Sequence, residues 1–99
     1  MIAIHGRLNR DEPHCVYVGG LDVSLRNLAA AELRAAGFEA RAENHIFPAI
    51  EPENICNRGR RNKGIQLELP RNLRDDLSTD PAKMTAFVDA LRRAITAPQ

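Results

Sequence analysis

The chain has 99 residues, the size of one small domain or of part of a larger one, so two independent domains are excluded. With 43% hydrophobic and 27% charged residues, the composition is typical of a globular chain and not of a disordered one. Lys and Arg number 14 against 13 Asp and Glu, which argues against a general binder of polyanions.

No apolar run approaches the roughly 20 residues that a membrane span requires, and no signal-peptide pattern is present at the N-terminus. We therefore expect a cytoplasmic protein without a membrane partner. The two cysteines, Cys15 and Cys56, are too few for a disulfide scaffold, and we expect both to be reduced.

In chain order, the first predicted elements are two strands, a helix and a third strand. The strands are predicted at residues 1–5, 15–18 and 38–42. Asp22 or Ser24 is a suitable N-cap for the helix, which is expected to end at Ala36 because Gly37 follows. Glu32 falls inside the apolar face of this helix. We expect it at the boundary of the core, since long acidic side chains are almost never fully buried unpaired.

The second half begins with a long segment without regular structure. The predicted elements are a loop at 43–63, a strand at 65–69, a short helical turn at 70–77 and a final helix. Loops of more than about 15 residues are usually functional or disordered. The final helix has Thr79 or Asp80 as its cap and Pro81 in its first turn. Its predicted buried face consists of Met84, Phe87, Val88, Leu91 and Ile95.

Together these elements predict an α/β fold, a mixed sheet with packed helices, in which residues 1–99 form a single domain or part of one.

Two polar side chains in the predicted strands are candidates for chemistry. His5 ends an otherwise apolar strand and is a metal-ligand candidate; the alternative is a histidine that is hydrogen-bonded at a strand end. Glu68 lies between Leu67 and Leu69, where an ionised carboxylate needs a partner, a metal or a wet cleft. A raised pKa would suit Glu68 to general-base work; the alternative is a salt bridge to an arginine. By the period-two alternation of strands, we expect His5 and Glu68 on one side of the sheet, opening into one cleft.

The segment NICNRGRRNKG, residues 54–64, carries four basic residues and no acid. Arginine binds carboxylates and phosphates well, and the two glycines would allow main-chain amides to approach an anion. The segment therefore predicts an anion site, with a solvated basic loop as the alternative. Phe47 is the one aromatic residue nearby, which weakens the case for a surface that stacks nucleic-acid bases.

Three motifs carry a resemblance to a known family. They are AIHG at residues 3–6, VYVGGLD at 16–22 and NICNRGRRNKGIQLELPRNLR at 54–74. In this combination and order they resemble the C-terminal half of the phage and bacterial poly-γ-glutamate hydrolases, over residues 1 to about 77. The resemblance implies part of a zinc carboxypeptidase-like fold and hydrolysis of γ-glutamyl linkages in an acidic polymer.

The resemblance also implies roles for individual residues. His5 corresponds to a zinc-ligating histidine, and Glu68 to the carboxylate that activates the zinc-bound water. Asn57, Arg58, Arg71 and Arg74 are similar to positions that receive the carboxylates of the polyglutamate substrate.

The family's first zinc ligands precede the AIHG strand, and the sequence of 99 residues starts two residues before that motif. A catalytic zinc has three protein ligands, and one is recognised here, with His14, Cys15 and His45 as possible substitutes. We therefore expect a truncated protein that binds zinc weakly or not at all and is inactive alone, so whether it is an enzyme stays open. The alternatives are a non-enzymatic module that binds anions or, less favoured, nucleic acid, and a structural remnant. An edge strand left by a missing half would favour a homo-oligomer.

Overall fold

The computed structural model describes residues 1–9 and 11–98, and within them a four-stranded sheet is covered on one face by three helices. The elements are β1 (Ile2–Arg7), β2 (Cys15–Gly19), α1 (Val23–Ala35), β3 (Glu39–Arg41), β4 (Ile65–Pro70), α2 (Arg71–Thr79) and α3 (Pro81–Thr96), with a 3₁₀ turn at Ile55–Asn57 before β4. The mixed α/β class is thus confirmed. Across the described ranges, no helix combines the length and apolar character needed to cross a membrane.

The strands lie in the order β1-β4-β2-β3, so the last strand in sequence occupies a central position. β1 runs parallel to β4, β4 runs antiparallel to β2, and β2 runs parallel to β3. Glu68 is in register with His5 on one side and with Tyr17 on the other. Residues in register on neighbouring strands point to the same face, so these three side chains share one face of the sheet.

The opposite face is apolar and packs against the helices. Its buried side chains are Val16, Val18, Ala40, Ile65, Leu67 and Leu69. The predicted alternation along β4 is therefore confirmed, although the polar side chains Gln66 and Glu68 are buried as well.

The buried face of α3 differs from the prediction at both ends. Met84 and Ile95 are 41% and 49% exposed, whereas the small residues Ala90 and Ala94 are buried. Alanines on α3 and on α1 let the two helices approach closely, and this contact rotates the larger side chains toward solvent.

The helix boundaries follow the predicted caps. Asp22 accepts a hydrogen bond from the Leu25 amide at the start of α1, and Asp80 caps α3 ahead of Pro81. Glu32 lies at the rim of the core as expected, where Arg93 Nε donates to its Oε2 atom at 2.8 Å.

Four predicted elements were too short, β2 by the single residue Gly19. β1 continues to Arg7, because its parallel pairing with β4 extends to Pro70, so His5 lies inside the strand and not at its end. β4 likewise ends at Pro70, and the predicted turn at 70–77 is the nine-residue helix α2. Leu73 and Leu77 of α2 are buried in the core, which explains why the turn extends into a helix.

The outer side of β1 pairs with no strand in the described part of the chain. Ile4 of this edge strand is 58% exposed. Unpaired edges are templates for strand addition. Self-association, which the sequence predicts, stays a prediction.

The segment between β3 and β4 lies against the polar face of the sheet. A β-carbon on Gly19 would collide with the carbonyl oxygens of Phe47 and Pro48, so glycine permits this contact. The Pro48 oxygen accepts a hydrogen bond from Gly20 N at 2.7 Å. The His45 ring stacks on Tyr17 with 4.9 Å between centroids. The long segment is thus anchored to β2.

Both ring nitrogens of His45 are bonded to the main chain. Nδ1 accepts from Phe47 N at 3.1 Å, so Nε2 carries the proton and donates to the Val18 oxygen at 2.9 Å. Burial lowers the pKa of His45; the hydrogen bond to Val18 opposes this, and nearby arginines add to it. The folded chain therefore holds His45 neutral.

Asn57 fastens the same segment to the rest of the fold. Its Oδ1 atom accepts from Leu21 N at 3.0 Å and from Gly64 N at 3.2 Å. Its Nδ2 atom donates to the oxygens of Ala49 at 2.7 Å and Glu51 at 3.0 Å. The buried side chain thus joins four main-chain groups, of which the Glu51 oxygen also accepts from Asn54 N at 3.0 Å.

We expect Asn57→Ala to lower the free energy of unfolding by about 3 kcal/mol, because it leaves main-chain groups unpaired in the interior. The matched control is Asn27→Ala at an exposed position of α1, which should leave stability unchanged or slightly raised. Urea unfolding of the three proteins measures both effects, and an Asn57→Ala protein as stable as the control would contradict the role of Asn57.

A second prediction concerns pH. The unfolded chain takes up a proton at His45 below about pH 6.5, whereas the folded chain does so only at a lower pH. The contribution of His45 to the free energy of unfolding is therefore fully present above about pH 6.5 and is lost as the pH falls. Wild type should exceed His45→Gln in unfolding free energy by more at about pH 7.5 than at about pH 5. An equal difference at both pH values in urea unfolding would show that His45 is not held neutral.

Candidate active site

The site is centred on Glu68, which is 4% exposed in the middle of β4. His5 Nδ1 lies 3.4 Å from Glu68 Oε1, and the two side chains share one face of the sheet. The predicted placement of both residues on the same side is confirmed. His5 is about half exposed, so the pair extends from the interior of the sheet to the surface.

Glu68 has a second partner that the sequence did not identify. Gln66 Nε2 donates to Glu68 Oε1 at 2.8 Å. The two residues are neighbours on one face because they are two positions apart on β4. The QLEL motif contains both, yet its alternation predicted a shared face and not a hydrogen bond between them.

Burial is the main influence on the charge of Glu68. It raises the pKa of the Glu68 carboxyl above its usual value, and the positive charges of His5 and Arg7 oppose this effect. A carboxyl group with a raised pKa is a better proton acceptor once it is ionised. The alternative interpretation, a salt bridge to an arginine, finds no such contact in the described ranges, where Glu68 lies beside His5.

Arg7 is a further buried residue on this face that the sequence did not identify. Its terminal nitrogens donate to the oxygens of Asp11, Glu12 and Cys15 at 2.7–2.8 Å. Its guanidinium lies 4.0 Å from the centre of the Tyr17 ring. Arg7 thus shapes the loop after β1 and places a positive charge near Glu68. Arg7 is two positions after His5, and residues two apart on a strand share a face. A predicted strand extended from residue 5 to residue 7 would therefore have placed Arg7 beside His5.

A cavity of about 410 Å³ opens on the same face of the sheet. Its lining residues are Gly6, Arg7, Leu8, Asp11, Tyr17, Ile46 and Phe47. Arg7 and Tyr17 connect this cavity to the His5–Glu68 pair, because all four side chains belong to one face. Its volume falls in the range of small-molecule sites.

The possible substitute zinc ligands do not join His5. The ring nitrogens of His45 are engaged with the main chain. Cys15 is buried, and burial raises the pKa of its thiol to about 11, which disfavours the thiolate that binds metal. His14 lines a different depression, beside Asp76 and Lys83.

Residues 1–9 and 11–98 contain no group of three His, Cys, Asp or Glu side chains placed to hold a metal ion. His5 and Glu68 supply two donor groups, whereas a catalytic zinc takes three protein ligands. The described residues therefore do not fit a zinc site by themselves.

The residues predicted to bind substrate are not brought together. Arg58 follows the 3₁₀ turn and is exposed, and Arg71 lies on the surface 4.0 Å from Asp75. The Arg74 guanidinium lies where a β-carbon of Gly6 would be. Because neighbouring residues of a strand face opposite sides, this guanidinium lies on the other side of the sheet from His5. Asn57 is engaged entirely with the main chain. Their contact with a substrate stays a prediction.

Gly64 serves the fold and does not present an amide to an anion, contrary to the sequence-based expectation. Its N–H donates to Asn57, and a β-carbon there would collide with the oxygens of Cys56 and Met1. Glycine is required because three chain segments meet at this point.

We expect Glu68→Gln to raise the free energy of unfolding by about 1 kcal/mol at pH 7, since it removes a buried charge and keeps the acceptor for Gln66. The pKa of Glu68 is raised in the folded state, so ionisation destabilises the fold as the pH rises from about 4.5 through the folded value. The gain should therefore be small near pH 4. Exposed Glu43→Gln is the control for which urea unfolding should show no gain; a Glu68→Gln protein less stable than wild type at pH 7 would refute the prediction.

Comparison with known proteins extends these findings. A bacteriophage poly-gamma-glutamate hydrolase of known structure matches with a TM-score of 0.84 and 29% identity, over 94% of this chain and 50% of that chain. The zinc-free apo form of YNDL matches with a TM-score of 0.80 and 24% identity, over 95% of this chain and 52% of that chain, and shows a shared fold. This chain thus spans about half the length of each. No curated protein matches it.

The family assignment comes from the sequence match. The family model for poly-gamma-glutamate hydrolase covers residues 1–88, which include both β1 with His5 and β4 with Glu68. The chain belongs to the poly-gamma-glutamate hydrolase family.

Proposed function

We propose that the polar face around Glu68 is one part of the active site of a hydrolase that cleaves γ-glutamyl linkages. The observation that carries this proposal is the buried Glu68 carboxylate, 3.4 Å from His5 on a face that also bears a cavity. Family membership supplies the reaction class, and the bacteriophage relative has the same fold over this chain.

Glu68 has the environment of a general base. Its raised pKa leaves the ionised form able to take a proton from water and to return it to the leaving amine. Arg7 places positive charge nearby, which favours the ionised form that the first step requires.

We include zinc in the proposal as a cofactor of the complete family site. Support comes from the zinc-free form of the structural relative. Within the part of the chain that the structure describes, the donor set is too small to hold the ion. The chain on its own is therefore proposed to be inactive, with further ligands coming from outside its described residues.

The proposed substrate is an acidic polymer with one carboxylate per unit. Arg58, Arg60 and Arg61 are exposed in the basic segment before β4, which supports attraction of such a polymer by a local positive potential. Nucleic acid is less favoured, because Phe47 is partly buried near Tyr17 and offers no free surface for stacking bases.

The test is a chimera in which this chain replaces the matching half of the bacteriophage hydrolase. The shared fold over 94% of the chain makes the exchange feasible. We expect zinc-dependent hydrolysis of poly-γ-glutamate, and we expect Glu68→Gln to lower kcat by at least about 100-fold. Exposed Arg92→Ala on α3 is the control that should keep full activity.

A folded, active chimera that is unaffected by Glu68→Gln would refute the assigned role. The isolated chain, assayed with zinc beside its Glu68→Gln variant, should give equal background rates. Hydrolysis by the isolated chain that depends on Glu68 would refute the proposal that it is inactive alone.

A further inference from the structure

Gln66 is the second buried polar side chain on the face of β4 that carries Glu68. It is 5% exposed, and its amide donates to Glu68 Oε1 at 2.8 Å. Its neighbours in register are Ala3 on β1 and Gly19 on β2, both of which are small. On the β2 side, the main chain of Phe47 and Pro48 covers Gly19, so the Gln66 amide lies under the long segment between β3 and β4.

Stability alone does not account for this glutamine. Its Oε1 atom is buried and finds no hydrogen-bond partner in the part of the chain that the structure describes. An unpaired buried acceptor destabilises the folded state, whereas a methionine of similar length would fill the same space without that cost. Buried polar groups left unpaired call for an explanation other than packing.

The contacts of Glu68 supply that explanation. Oε1 is held by the Gln66 amide and lies near His5, whereas Oε2 makes no hydrogen bond with residues 1–9 and 11–98. One oxygen is fixed and the other is left for a reacting group. Because the amide carries no net charge, it orients the carboxylate without neutralising it.

We propose that Gln66 is a positioning residue, which holds Oε1 of Glu68, keeps this side chain in one rotamer and so leaves Oε2 for a reacting group. The catalytic consequence rests on the proposed function of Glu68. The conformational effect is a property of this chain alone and is measurable in it.

The first experiment compares wild type with Gln66→Met by NMR, using vicinal couplings and side-chain ¹³C relaxation of Glu68. We expect one Glu68 rotamer in wild type and rotamer averaging in Gln66→Met, with a Tm equal to or above that of wild type. Asn72→Ala is the control, because it removes a side-chain hydrogen bond, from Asn9 to the Asn72 amide oxygen, that involves neither Gln66 nor Glu68, and its loss should leave the rotamer unchanged.

In the active chimera, Gln66→Met should lower kcat by about 10- to 100-fold with KM unchanged, since a misplaced base slows chemistry without weakening binding. A single Glu68 rotamer retained in Gln66→Met would overturn the proposal, as would unchanged kcat in a chimera that requires Glu68. If the rotamer averages but Glu68→Gln chimeras remain active, the positioning by Gln66 stands and the proposed function of Glu68 fails.

Discussion

The burial of a carboxylate at the centre of the sheet is the constraint on which the rest of this structure depends. β4 is covered on both faces, by helices on the apolar side and by the long 43–64 segment on the polar side. Glu68 is tolerated there because the Gln66 amide and nearby His5 and Arg7 stabilise its charge. The same surroundings that make the carboxylate costly to bury also make it a suitable proton acceptor.

The polar face is held in place by side chains outside the His5–Glu68 pair. Asn57 ties the long segment to the starts of α1 and β4, and His45 ties it to β2. Gly19 and Gly64 are required where main-chain segments touch. Asn57 and His45, which the sequence suggests as candidate site residues, thus both support the long segment in the folded chain.

Local patterns in the sequence predicted the helices and strands, their capping residues and the shared side of His5 and Glu68. Each of these depends on the spacing of apolar residues or on residues adjacent in sequence. They did not predict how far β1 and α2 extend, which depends on pairing with β4 and on burial of Leu73 and Leu77. They also missed the contacts of Asn57, Arg7 and Gln66. Asn57 bonds to an atom that only the folded topology brings within reach, since Leu21 is 36 residues away. The partners of Arg7 and Gln66 are close in sequence, but a period-two pattern gives the face of a side chain and not its hydrogen bonds.

The most direct test of the account is the ionisation of Glu68 itself, followed by the ¹³C shift of its side-chain carboxyl during a pH titration of the folded chain. The account predicts a midpoint above the usual value of 4.5, because burial outweighs the favourable charges of His5 and Arg7. A midpoint at or below 4.5 would show a solvated or strongly paired carboxylate, and would contradict the buried site on which the proposed function rests.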